Sequence, residues 1–195
     1  MMFKRIFLLV ITLFITAFAF AQTKADTVYG KYADFNLLRL DGKTPDAIKL
    51  GEIILPDVNE LPVNSRISFY NGLAKLYEDD DESKEAILLY EKVVAAQPDF
   101  YVAHRALGYL FLKHTDELYD KMQANPGDTV MILQYKAAVQ KALPHLEKAQ
   151  ACDPSDETLE IIKRLYTNIH DYAGLQSLNG RLAGMAKNCI DILKD

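Results

Sequence analysis

Apolar residues recur along most of this chain at spacings of three and four, the signature of amphipathic helices. Tyr29, Tyr32, Phe35, Leu37, Leu38 and Leu40 predict a first helix, broken at Gly42, with 22–28 frayed ahead of it. Thr44 can cap a second helix, with Pro45 in its first turn and Ile48, Ile53, Ile54 and Leu55 apolar, before a connector at 56–62. Ile67, Tyr70, Leu73, Ala74 and Tyr77 share one face of a helix over 64–78. Ala86, Ile87, Tyr90, Val93 and Val94 do the same over 83–96, which Pro98 ends. Leu107, Phe111, Leu118 and Met122 suggest one longer helix from Tyr101 to about Met122. After the turn Ala124–Asp128, Asp128 or Thr129 caps another long helix, where Pro144 predicts a kink. Helices over 157–169 and 172–193 complete the pattern, with Gly174, Gly180 and Gly184 weakening the last. No segment alternates as a strand would.

Two stretches of this pattern repeat each other. Tyr70, Leu73, Ala74 and Tyr77, then Ala86, Tyr90, Val93 and Pro98, are followed by His104, Leu107, Gly108 and Phe111, then Ala142, Leu146, Ala149 and Pro154. Each set resembles the tetratricopeptide repeat, a helix–turn–helix of about 34 residues. Small residues let the paired helices approach, large ones fill the groove between units, and proline ends each unit. In the first block nine steps join the halves (Tyr77 to Ala86), in the second 31 (Phe111 to Ala142). The 22-residue difference predicts a projecting helical hairpin between Lys113 and about Lys141. The resemblance implies an all-α, right-handed superhelix of four stacked hairpins. It divides the chain into a weak repeat at 28–62, a clear one at 66–100, an interrupted one at 101–154 and a degenerate one at 155–193.

The beginning of the chain follows a different pattern. Lys4 and Arg5 precede an apolar run from Ile6 to Phe20, and Ala19-Phe20-Ala21 offers small residues at both positions a signal peptidase reads. The run is shorter than the about 20 residues of a membrane span. The expectation is a signal peptide over 1–21, cleaved after Ala21, with 22–195 as the folded domain. The exported chain would most naturally be periplasmic and would have no membrane attachment after cleavage.

Charge and composition narrow the partners. The formal charge is −5, with 22 Lys and Arg against 27 Asp and Glu. That argues against nucleic acid, which needs clustered cations. Cys152 and Cys189 could pair in an oxidising compartment. Packed helix axes lie about 8–10 Å apart, beyond the usual disulfide reach, so the expectation is two unpaired, buried apolar thiols.

Candidate chemistry is sparse. His104, His114, His145 and His170 are spread out, with no metal-ligand spacing. His104 occupies an aromatic packing position of its repeat. The acidic run Glu78–Glu82 lacks the glycine and length of a calcium loop and reads as a solvated turn, with Asp80 or Asp81 capping the next helix. No phosphate loop or nucleophile elbow occurs. The expectation is no enzyme activity, no cofactor and no metal. The resemblance implies another protein as partner, a peptide or helix held in the concave face of the first helices. Carried onto this chain, that face includes Arg39, Asn71, Lys75, Arg105, Tyr109, Lys113 and Arg164. Ala106 stands where a carboxylate-clamping relative would place a further polar residue, which disfavours a C-terminal peptide. Two other classes remain open: an exported helical enzyme acting on a polymer, and a self-assembling structural protein.

Overall fold

The computed structural model describes residues 24–113 and 115–193, and the expected signal peptide lies outside them. The described residues are helical, with no strand among them. Helix α1 covers 24–40 and α2 Thr44–Ile54, which runs on as a 3-10 turn, Leu55–Glu60. Helix α3 is Val63–Asp79, α4 Ser83–Ala96, α5 Tyr101–Leu112 and α6 Thr115–Ala124. Helix α7 is Thr129–Cys152, α8 Asp156–Asn168 and α9 Tyr172–Met185. Consecutive helices pack on one another, with α6 as a side branch on α7.

Three hairpin turns share one geometry. At α1–α2 the N–H of Lys43 donates to the carbonyl of Leu38, and that of Gly42 to Arg39. At α3–α4 the pairs are Glu82 to Tyr77 and Asp81 to Glu78. At α8–α9 they are Asp171 to Tyr166 and His170 to Thr167. This is the Schellman closure, which needs a left-handed residue just past the helix. Gly42, Asp81 and His170 supply it, at φ of 71°, 68° and 58°. Asp81 is therefore part of the turn and not a cap: the next N-cap is Glu82, without a side-chain bond. Thr44 does not cap either, because the N-cap is Lys43. Asp128 does, accepting from the N–H groups of Val130 and Met131.

Most of the positions that the two blocks share are buried, but Pro98 and Pro154 are exposed and Tyr70, His104 and Phe111 half-buried. Leu73, Ala74, Ala86, Val93, Leu107, Ala142 and Leu146 have no exposed surface. One apolar cluster spans α1 to α5 and a second spans α7 to α9, with Phe111 packed against both. In α1 the buried edge is Val28, Tyr32 and Phe35, whereas Tyr29, Leu37 and Leu40 are exposed. Thus 24–28 is helical and not frayed, because Val28 anchors it.

Other expectations change. The helix begun at Tyr101 stops at Leu112 and a new one starts at Thr115, so α6 can fold back along α7. Tyr119 meets Tyr135 there, ring centroids 5.3 Å apart. Pro144 does lie inside α7, as expected, and is exposed. Helix α9 ends at Met185, and the chain beyond it turns back across the molecule. Cys189 lies in that returning segment and pairs with Cys152. Helix spacing did not limit the bridge, because one cysteine is not on a helix.

Candidate functional site

The seven residues expected along the first helices do lie on α1, α3, α5 and α8 or at their ends. Arg39 of α1 is half-buried over the Phe35 ring and donates to Asn36. Its guanidinium lies against Gly72 of α3, where a Cβ would come within 2.6 Å of it. Burial pulls its pKa below the ordinary guanidinium value. Asn71 and Lys75 follow on α3, with Lys75 paired to Asp79.

On α5, Arg105 pairs with Asp153 at 2.7 Å and lies over Tyr101. The Tyr109 hydroxyl meets the Thr158 hydroxyl at 3.0 Å, joining α5 to α8. Lys113 donates to Asp81 and Ser83 at the α3–α4 turn. Arg164 of α8 faces Asp116 at 3.8 Å, both exposed. Lys113 and Arg164 therefore reach across to another hairpin, Arg105 joins α5 to the end of α7, and Lys75 is paired within its own helix. Their spacing along the chain revealed the helices they share but not the carboxylates they meet.

A second cluster was not legible in the sequence. Glu147 is 2% exposed. Its carboxylate receives Nε of Arg181 at 2.8 Å and Nη2 at 2.7 Å, and the hydroxyl of Tyr166 donates to it. Arg181 Nη1 also donates to the carbonyl of Gly174. Gly174 is needed there: a Cβ would come within 2.4 Å of the Tyr166 ring. Gly180 and Gly184 have open space around them and no such role. The hydrogen bond to Glu147 and its charge hold Arg181 protonated above its ordinary range, while burial, then Glu147, push Tyr166 up. A carboxylate inside a helix normally reads as a solvated face. Glu147 is enclosed because α7 packs against α5, α8 and α9, and most of its buried residues lie in its second half.

Two of the histidines meet at the α5–α7 contact. Nδ1 of His104 lies 3.0 Å from Nδ1 of His145, and Nε2 of His104 lies 3.1 Å from the Pro98 carbonyl. A carbonyl only accepts, so His104 carries its proton on Nε2 and accepts from His145. His104 is thus at its packing position, but with a polar partner. His170 is exposed in its turn, and His114 lies outside the described residues. Burial lowers the pKa values of His104 and His145, with the neighbouring His104 imidazole adding to the shift that takes His145 to about 4. The unfolded chain binds protons at about 6.5, where the folded pair does not. Stability is therefore full above that value and is lost as pH falls from about 6.5 toward 4. Discounted for partial exposure, the loss is about 1–2 kcal/mol. Thermal melts at pH 7.5 and 4.5 check this, with the drop in wild type expected to exceed that in His145→Gln. Equal drops would contradict it.

Between the α6–α7 turn of the inserted hairpin and the α8–α9 turn, an open cleft of about 360 Å³ is lined by Met122, Pro126, Ile132, Tyr135, Lys136, Ile169 and His170. Among the described residues no group of three or more His, Cys, Asp or Glu could hold a metal ion. No described helix is long and apolar enough to cross a membrane.

No protein-family model, characterised protein or solved structure matches this chain.

Proposed function

We propose that this chain is a non-catalytic protein-binding module, exported to the periplasm, that holds a peptide or helix of another protein. In this reading its hairpins form a right-handed, tetratricopeptide-like superhelix, and Arg39, Asn71, Lys75, Arg105, Tyr109, Lys113 and Arg164 line the concave face. The supporting observation is direct contact within two pairs of first helices: the Phe35 ring of α1 packs tilted against Phe69 of α3, and Tyr109 of α5 meets Thr158 of α8. First helices set side by side would offer the continuous surface that capture of an extended segment requires. The common turn geometry at Gly42, Asp81 and His170 supports the same stacking.

Arg105 and Tyr109 also tie α5 to its neighbours, so exchanging them would mix binding with stability. Asn71 and Lys75 are better probes. A photoreactive side chain at either position, in the native cell envelope, should give a discrete cross-linked protein. The same group at Glu91, exposed on α4, should not. Identical products from both faces, or none from Asn71 and Lys75, would overturn the reading.

A further inference from the structure

The segment beyond α9 folds back over the rest of the chain and is held in four ways. Cys189 is bonded to Cys152 at the end of α7, Cα atoms 5.5 Å apart. The backbone of Ile190 pairs in parallel with the α4–α5 connection: its N–H donates to the Asp99 carbonyl at 2.8 Å, and its carbonyl accepts from the Tyr101 N–H at 3.1 Å. Lys148 of α7, itself buried, donates to the Asp99 carboxylate at 2.8 Å and to the carbonyls of Met185 and Asn188. Ile190 and Leu193 pack against the first apolar cluster. Between this segment and α3, Ile190, Ile192 and Leu193 form one wall of a cleft of about 290 Å³, with Asn64, Ile67 and Gln97 opposite.

We propose that 186–193 is a redox-set clasp: the Cys152–Cys189 bond keeps it docked across α5 and α7, and thiol–disulfide exchange releases it as a unit. No helix supports 189–193, so its order depends on contacts with the body of the molecule. Apart from the disulfide, those contacts are two backbone hydrogen bonds, one lysine and a short apolar edge. Cys189 is exposed and Cys152 half-buried, so the bond lies at the surface of the fold and not in its core.

The chemistry is a two-electron exchange with a dithiol reductant. A thiolate of the reductant attacks the Cys189 sulfur, the S–S bond breaks, and Cys152 leaves as a thiolate that takes a proton. The second thiol of the reductant attacks the mixed disulfide. Cys189 is released and protonated, and the reductant closes its own disulfide. Opening removes one wall of the cleft at Ile67 and leaves the Asp99 carbonyl and Tyr101 N–H unpaired. The proposal stands apart from the concave-face reading, and neither depends on the other.

The test compares the full chain in its oxidised state with the same chain held in dithiothreitol. Hydrogen exchange at the amides of Ile190 and Tyr101 should accelerate at least tenfold on reduction, while Phe69 and Leu73 in the α3 core keep their protection. Tryptic cleavage after Lys187 should rise by a similar factor. The Cys152→Ser/Cys189→Ser variant should match the reduced chain without any reductant. Unchanged exchange at Ile190 would overturn the proposal. So would equal acceleration at Leu73, because the bond would then be a staple for the whole fold. Reduction of the wild-type chain decides the question even if the variant fails to fold.

Discussion

Arg181→Ala is expected to destabilise the protein by about 3–5 kcal/mol, the range seen when one partner of a buried ion pair is removed. The origin is Glu147 and not the arginine. Glu147 has only 3% of its side chain exposed, and Arg181, at 31%, can recover water when the contact is lost. Truncating Arg181 leaves Glu147 with the Tyr166 hydroxyl alone. Arg181→Lys keeps the charge but loses the two-pronged geometry, and should cost about half as much. Glu147→Leu with Arg181→Met removes both charges and should recover most of the loss, since a buried pair is often replaceable by apolar groups of similar volume. Denaturant unfolding measures all three. If Arg181→Ala falls within about 1 kcal/mol of wild type, the carboxylate is reached by water and the argument fails.

How much of this was readable beforehand depends on whether a feature is local. Helices α3 and α4 follow from apolar spacing almost to the residue, and the cap at Asp128 follows from the turn before it. The two-block pattern led to the close approach of α5 and α7, because it asks for a small residue at Gly108. The break at Lys113 is not legible in the sequence pattern. Apolar spacing continues across it through Leu118 and Met122, so periodicity alone cannot separate one long helix from two. The exposed Leu37 and Leu40 show the reverse problem: apolar residues need not be inside. The polar features were the least legible. Arg181–Glu147, Lys148–Asp99 and His104–His145 each join residues more than 30 positions apart. Nothing in their local sequence distinguishes them from solvated side chains. The seven residues expected on a concave face rest on the family resemblance, which gives their helices but not their partners in the folded chain.

The α5–α7 contact gives the second large effect, and its two sides should be coupled. Leu146 is fully buried and sits against Gly108. Leu146→Ala should cost about 3–5 kcal/mol, combining lost transfer energy with a cavity that the packed helices cannot close. Gly108→Ala fails in the opposite sense. Its Cβ would lie 2.6 Å from Leu146 Cδ2 and 3.2 Å from the Leu146 backbone nitrogen. The side chain can rotate away only into a filled core, and the backbone atom can move only with α7. Overpacking of this kind costs about 1–3 kcal/mol, more than the gain of alanine over glycine in a helix. In the double variant each change relieves the other: the new methyl group enters space that Leu146 has vacated, and no Cδ2 remains to clash. The double variant should therefore be more stable than the sum of the single effects by about 1–2 kcal/mol, within the range of coupling between touching residues. A double-mutant cycle in urea gives this directly. Strict additivity would mean that α5 and α7 relax independently at this point, and that Gly108 is not what allows the pair to close.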